Sequence, residues 1–234
     1  FEDGFPIIGE NGKVPEVVTV LDTGYQYAAI NGSDDFFYKP DENGQITLKN
    51  FWEFNHQQMD DFWSVTENPG HLRLHSARLS PTLFQAYNTL TQRTVGPKCA
   101  AEVTLRFAHM KNGDVAGIST FIGNYGFTGV KKENDQFYLI MMGRPANDTT
   151  VFGQFEYENP GLEYQRVPIS DTSVCLRAEA DFTDKKDLAS FFYKNREGWQ
   201  KLGIDQPMYF KMDLFTGCRF GLFYYSTKKT DGFV

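Results

Sequence analysis

Polar side chains interrupt an aromatic-rich stretch, FWEFNHQQ, and make it the first candidate for a binding site. Trp52 supplies a large ring, and Asn55 and His56 supply hydrogen-bonding groups a few positions later. Rings stack on the apolar face of a sugar, while amides and imidazoles hydrogen-bond its hydroxyl groups. The combination predicts a carbohydrate-binding surface. A core tryptophan and a hydrogen-bonded buried histidine are the ordinary structural interpretation of the same residues.

A second polar stretch, LFQAYNTLTQRTVGP, covers residues 83–97 and alternates like a strand with polar groups on both faces. Such a strand is costly to bury unless each group is hydrogen-bonded. It therefore lies at a sheet edge in water or lines a concave face for a polar ligand. Gln92 and Arg93 are its candidate sugar contacts, although Arg93 could equally pair with a carboxylate across the sheet. Tyr125 and Tyr224, from later strands, complete the candidate carbohydrate-binding set.

Patterns typical of catalysis and metal binding give no positive signal. The four histidines are scattered, and His71 and His75 have no third ligand at zinc-like spacing. No G-x-S-x-G, H-E-x-x-H or Walker pattern occurs. Loop oxygens at 33–35 and 41–44 could ligate calcium, but solvated turn acids are the favoured interpretation. We therefore expect no catalytic residue, no metal ligand set and no cofactor, with structural calcium as the open alternative.

Composition narrows the class of protein. Hydrophobic residues make up 41% and charged residues 23% of 234 residues, a globular profile. The formal net charge of −7 argues against nucleic acid, which needs a basic surface. No run of 18 apolar residues occurs, so no membrane-spanning segment is expected. The aromatic share of 16% favours strands, because aromatic residues suit a half-buried pleated surface.

Alternation between apolar and polar residues predicts strands through most of the chain. KCAAEVTLRFAHM and SVCLRAEADF alternate with a period of two, and GCRFGLFYYST is apolar on both faces. Gly, Asn and Pro turns separate these runs, and residues 195–198 predict a tight hairpin. With helical periodicity nearly absent, the pattern predicts an all-β, antiparallel two-sheet sandwich. We expect it to cover residues 32–234, after a linker or remnant of an upstream domain at 1–31.

Four blocks in fixed order carry a resemblance to a known family. They are FWEFNHQQMDDFWSVTENPGHLRL, FQAYNTLTQRTVGPKCAAEVTL, MKNGDVAGISTFIGNYGFTGV and RFGLFYYSTKKTDGFV. Together they resemble the C-terminal β-sandwich of family 43 glycoside hydrolases of the β-xylosidase and arabinofuranosidase type. The resemblance implies a concanavalin A-like jelly roll, also classed as carbohydrate-binding module family 91 and associated with xylan. The opening FEDGFPIIGENGKVPE resembles the end of the five-bladed catalytic propeller that precedes this sandwich.

The resemblance implies a non-catalytic accessory module, because the family's catalytic carboxylates belong to the propeller. One implied role is binding of xylan or xylo-oligosaccharides. The alternative is a scaffold that buttresses the propeller and shapes the mouth of its active site, and the parent chain would then be a hydrolase active elsewhere. Two departures stand out: Tyr87 replaces an arginine usual in the family, and the family's last strand would follow Val234. We therefore expect a fragment with an open sheet edge, from a bacterial polysaccharide-degrading system whose compartment the sequence leaves open.

Overall fold

Short and long strands account for nearly all regular structure in the computed structural model, which describes residues 9, 13–14, 16–17, 22–145, 159–210 and 217–234. The strands are β1 (Glu53–Phe54), β2 (Trp63–Ser64), β3 (Arg73–Leu74), β4 (Leu90–Arg93), β5 (Lys98–Arg106), β6 (Asp114–Phe121), β7 (Gly126–Glu133), β8 (Gln136–Gly143), β9 (Leu162–Ile169), β10 (Ser173–Asp181), β11 (Leu188–Asn195), β12 (Gly198–Lys201), β13 (Gln206–Pro207) and β14 (Arg219–Ser226). Three 3₁₀ turns lie at Asp60–Phe62, Leu83–Gln85 and Thr183–Lys185. None of the helical segments in the described ranges has the length or apolar character to cross a membrane.

Two antiparallel sheets form the sandwich. The larger has seven strands in the order β1-β4-β14-β6-β7-β8-β9, and the smaller runs β12-β11-β10-β5 with β13 added beside β11. Strands β2 and β3 make a separate short ribbon. The predicted hairpin is present, because Asn195 pairs with Gly198 across a two-residue loop. The all-β, antiparallel two-sheet sandwich predicted from the alternation is therefore confirmed.

The inter-sheet core follows from the period-two pattern. In β10 the alternate residues Leu176, Ala178 and Ala180 are buried, and their polar neighbours face outward. They meet Phe191 from β11 and Ile118 from β6 in one continuous cluster. Every residue of β6 is buried, so this strand is covered on both faces of its sheet.

A second apolar cluster explains why the larger sheet is covered on its outer face. The turn that carries Leu83 and Phe84 folds over this face. The Phe84 ring meets Phe121 and Tyr125 edge-on, with centroid distances of 5.5 and 4.9 Å. The centre of the outer face is therefore filled by the chain's own side chains, and exposed residues lie on the two end strands of the sheet, β1 and β9.

The polar stretch at 83–97 is not one strand, which corrects the expectation from alternation. Its first residues form the turn at Leu83–Gln85, and only β4 pairs within the sheet. The side-chain amide of Asn88 donates to the Met59 carbonyl at 3.1 Å and accepts from the Met59 N–H at 2.9 Å. The Thr91 hydroxyl donates to the Glu53 carbonyl at 2.9 Å. These internal hydrogen bonds offset the free-energy cost of burying the polar groups.

An open sheet edge lies at β5, which pairs only with β10 among the described strands. The residues DDFF at 34–37 form no strand. A cleft of about 1350 Å³ runs beside β5 and is floored by apolar side chains that include Val103 and Leu222. At one end of this cleft, Val234 exchanges two backbone hydrogen bonds with Leu74, at 3.1 and 3.2 Å.

Candidate functional site

Trp52 is an anchor inside its own loop. Its indole Nε1 donates to the Asp34 carboxylate at 2.7 Å, and its ring stacks on Phe36 with a centroid distance of 5.7 Å. The Asp34 side chain is only 1% exposed and also accepts from Tyr38 and from the Lys49 ammonium at 3.0 Å. Burial by itself would raise the pKa of Asp34, but these donors outweigh it and hold the pKa below its usual value. The polar atom of Trp52 is therefore committed to the fold.

The side-chain amide of Gln92 is likewise used for a contact within the fold. Its amide nitrogen donates to the Gly32 carbonyl at 2.9 Å, and its amide oxygen accepts from the Gly32 N–H at 2.9 Å. This two-way pairing imitates a strand contact and fastens the chain at Gly32 onto β4. The sequence marked Gln92 as a sugar contact without a signal for this partner, which lies 60 residues away.

Tyr125 and Tyr224 are interior residues, and their assignment as sugar contacts is corrected. Tyr125 is 0% exposed, and its hydroxyl donates to the Pro160 carbonyl at 3.1 Å. Tyr224 is 3% exposed, and its hydroxyl donates to the buried Asp114 carboxylate at 2.8 Å. Burial is the main reason why the pKa of each phenol lies above its ordinary value. The expectation failed because alternation places a residue on a face without revealing what covers that face.

The remaining expected contacts gather at the exposed end of the larger sheet. We call this surface the rim patch and define it by Glu53, Asn55, His56, Arg78, Tyr87 and Arg93. Asn55 donates its backbone N–H to the Thr89 carbonyl at 3.0 Å, which continues the pairing of β1 with β4. Its side-chain amide has no hydrogen bond to the residues that the structure describes. The amide is therefore available to a ligand.

A three-part stack forms one half of the rim patch. The exposed His56 ring stacks on Tyr87 with a centroid distance of 5.5 Å and an interplanar angle of 28°. The Arg78 guanidinium carbon lies 4.8 Å from the centre of the same Tyr87 ring, a cation–π contact. His56 Nε2 lies 2.6 Å from the Phe84 carbonyl oxygen. Because a carbonyl only accepts, Nε2 carries the proton, and Nδ1 of the neutral ring is left as an acceptor.

An ion cluster forms the other half. Arg93 is exposed, and its Nη2 lies 3.9 Å from Glu53 Oε1, so the alternative pairing with a carboxylate across the sheet is present. Behind them, Arg219 Nη1 lies 3.0 Å from Glu53 Oε2. The strand register brings these side chains together, because Glu53 is opposite Thr91 and Arg93 is opposite Arg219. The guanidinium groups of Arg78 and Arg219 were missed in the sequence, where nothing connects them to β1.

The loop carboxylates considered for calcium are used within their own turns. Asp34 is surrounded by donors, and Asp41 accepts from the backbone N–H groups of Asn43 and Gln45 at 2.8 Å each. Across the residues that the structure describes, no group of three or more His, Cys, Asp or Glu side chains could hold a metal ion.

The cleft beside β5 has a different character from the rim patch. Trp52, Gln92 and Arg93 lie along it, but its floor is the apolar inter-sheet core. Polar side chains that include His71, Arg73 and Glu102 also line the cleft, so it offers hydrogen-bond partners beside its apolar floor. The rim patch has in addition a stack of rings that presents a face to a sugar ring, next to a free amide and guanidinium groups, and it is the candidate for a sugar site.

Comparison with known proteins agrees with this architecture. The family model described as "Beta xylosidase C-terminal Concanavalin A-like domain" matches residues 41–234. A β-xylosidase from Formosa agariphila is 26% identical over 260 residues, which cover 99% of this chain and 39% of that protein. A bifunctional GH43-CE protein from Bacteroides eggerthii superposes with a TM-score of 0.81 at 34% identity, covering 100% of this chain and 28% of that one.

A further similar structure is a GH43 glycoside hydrolase engineered to display both endo-xylanase and exo-arabinofuranosidase activity. It superposes with a TM-score of 0.76 at 26% identity, covering 92% of this chain and 42% of that chain. The chain thus spans less than half the length of these relatives. The family description makes the matched region a C-terminal domain, and the catalytic module of these GH43 enzymes lies elsewhere. The resemblance seen in the sequence is confirmed: the chain belongs to the family of β-xylosidase C-terminal concanavalin A-like domains.

Proposed function

We propose that this chain is a non-catalytic accessory module of a GH43 glycoside hydrolase and binds xylan or xylo-oligosaccharides through the rim patch. The observation that carries the proposal is the exposed stack of His56, Tyr87 and Arg78 beside the free amide of Asn55. The activities of similar proteins, β-xylosidase and endo-xylanase, support xylan as the glycan.

The contact would use two kinds of interaction. A xylose ring would pack against the Tyr87–His56 stack, and an aromatic contact of this type contributes about 0.5–1.5 kcal/mol beyond the area it buries. Its hydroxyl groups would donate to His56 Nδ1 and pair with the Asn55 amide. A few contacts of this size, set against the cost of ordering a flexible oligosaccharide, correspond to a Kd of roughly 1 mM to 1 μM.

Affinity electrophoresis in gels containing soluble xylan tests the proposal. We expect the wild-type chain to be retarded, and Tyr87→Ala and His56→Ala to lose most of that retardation. Tyr27→Ala and His71→Ala are the matched controls, because both lie outside the rim patch, and Tyr27 is 88% exposed. Absence of retardation of the wild type, or equal retardation of all four variants, would reject the proposal.

A scaffold role is the second candidate, favoured by a group of exposed apolar side chains. Tyr25, Tyr27, Ile30 and Phe37 are 68%, 88%, 58% and 69% exposed, within 13 residues of one another. Large apolar side chains gathered in this way mark a contact surface. The partner would be the five-bladed catalytic propeller of the parent chain. Tyr25→Ser with Tyr27→Ser should then lower the Tm of the full-length parent enzyme, and an unchanged Tm would reject this role.

A further inference from the structure

Arg219 is a buried cation with an unused donor. Its side chain is only 5% exposed. Its Nε donates to the Thr91 hydroxyl at 2.8 Å, and its Nη1 contacts Glu53. Its Nη2 is buried and has no hydrogen-bond partner among the residues that the structure describes. A charged donor with no acceptor is unfavourable in a protein interior, so an acceptor from a ligand would be stabilised there.

The rim patch carries more positive than negative charge. The carboxylate of Glu53 faces both Arg93 and Arg219. Arg78 reaches the Tyr87 hydroxyl at 3.2 Å and the Tyr87 ring, and no carboxylate pairs with it among the described residues. Two guanidinium groups therefore face one carboxylate, and a third, that of Arg78, lies against the Tyr87 ring, in a chain whose formal net charge is −7. A local excess of this sign favours an anionic ligand.

A carboxylate is an anion that fits these guanidinium groups. Guanidinium groups present planar, forked donors that match a carboxylate in two-point pairing. Glu53 already shows this chemistry, since its two oxygens face two different arginines at 3.0 and 3.9 Å. The Glu53 side chain is 50% exposed, so it can share the arginines with a ligand or turn into solvent. The aromatic stack in the same rim patch favours a carboxylate that is carried by a sugar.

We propose that the rim patch prefers acidic glycans, with the carboxylate of a uronic acid substituent held by the guanidinium groups of Arg93 and Arg219. This inference rests on the proposed function and adds to it the chemical class of the preferred glycan. The neutral sugar ring packs on the Tyr87–His56 stack, and the charged substituent extends along β1 and β4 toward the two arginines.

The test compares one polymer in two charge states. Isothermal titration calorimetry measures binding of glucuronoxylan, and of the same preparation after its uronic acid carboxyls have been reduced to alcohols. We expect the acidic form to bind the wild type about tenfold more tightly, the size of one charge-assisted hydrogen bond. Arg93→Gln should abolish that difference, so that the acidic and the reduced polymer bind this variant with the same Kd.

Arg106→Gln is the matched control, because it removes the same charge from the exposed position at the end of β5. Equal loss in Arg93→Gln and Arg106→Gln would mean a general charge effect and would overturn the inference. Arg219→Lys keeps the charge but removes the fork, and with retained folding by circular dichroism it should also lose the preference. Equal binding of both polymers by the wild type overturns the acidic preference alone, whereas no binding of either polymer overturns the proposed function as well.

Discussion

The indole N–H of Trp52 donates to the Asp34 carboxylate at 2.7 Å, and the Phe36 N–H, the Tyr38 hydroxyl and the Lys49 ammonium donate to the same carboxylate. The side chain of Asp34 is 1% exposed, so this hydrogen bond is shielded from water. A ring that the sequence marks as a sugar contact therefore holds the loop at 32–52 together. Trp52 therefore belongs to the residues that stabilise the domain and not to those that are free to bind a ligand.

Replacing Trp52 with phenylalanine should lower stability without changing glycan binding. Trp52→Phe keeps a ring for Phe36 but removes one charge-assisted donor, which costs about 1–3 kcal/mol. Urea unfolding measures the change in the free energy of unfolding. Trp199→Phe is the control, because no hydrogen bond from the Trp199 indole is present in the described part of the chain. A loss of xylan retardation in Trp52→Phe without a loss of stability would indicate instead that Trp52 contacts the glycan.

Part of the free energy of unfolding should depend on pH through the Asp34 carboxylate. Burial raises its pKa, but the hydrogen bonds from Tyr38, Phe36, Trp52 and Lys49 outweigh burial, so the folded-state pKa lies below the unfolded value. The contribution is therefore fully present above the unfolded pKa and is lost as the pH falls through the folded pKa. We expect the stability difference between the wild type and Asp34→Asn to stay constant above the unfolded pKa and to shrink over the interval from about pH 4 down to about pH 2. A difference that stays constant over this interval in urea unfolding would contradict the assignment.

The hydroxyl of Tyr224 should contribute to stability and not to binding. Tyr224→Phe removes a donor to Asp114, which is 0% exposed, and should destabilise the fold by about 1–3 kcal/mol. Lys111 N–H and the Thr230 hydroxyl would remain as donors to Asp114. Chemical unfolding measures the effect, and Tyr27→Phe at the surface should change nothing. Weaker xylan binding by a stable Tyr224→Phe would show that the interior assignment is wrong.

The chain alone should not hydrolyse xylosides. Its family is a C-terminal domain of β-xylosidases, and its rim patch has one carboxylate, Glu53, already facing two arginines. Retaining and inverting glycosidases ordinarily need a pair of carboxyl groups across the scissile bond. Incubation with an aryl xyloside should release no phenol above the buffer blank. Turnover that survives purification to homogeneity would contradict the accessory role.

The sequence predicted the sandwich because strand alternation is local and repeated many times. β10 shows the strength of this signal, since Leu176, Ala178 and Ala180 are all buried as expected. The candidate site was predicted only in part. Asn55, His56 and Arg93 lie in the rim patch, whereas Trp52 and Gln92 are bound within the fold. Their partners, Asp34 and Gly32, are 18 and 60 residues away, and no local pattern encodes such contacts.

The contacts that the sequence did not predict depend on pairings between strands that are distant in the chain. Glu53 on β1 reaches Arg219 on β14 because both of these strands pair with β4. Alternation along the sequence does not specify this order of strands. The burial of Tyr125 depends on the turn carrying Phe84, which covers the outer face of the larger sheet. A period of two shows which residues share one face of a strand. Which other residues cover that face depends on the tertiary structure.

Titration of the chain with a linear xylo-oligosaccharide in a calorimeter is the most direct measurement of the central claim. The account predicts saturable binding by the wild type, a Kd at least about tenfold higher for Tyr87→Ala and for His56→Ala, and no change for Tyr27→Ala. No heat of binding to the wild type, or an unchanged Kd in both rim-patch variants, would contradict it.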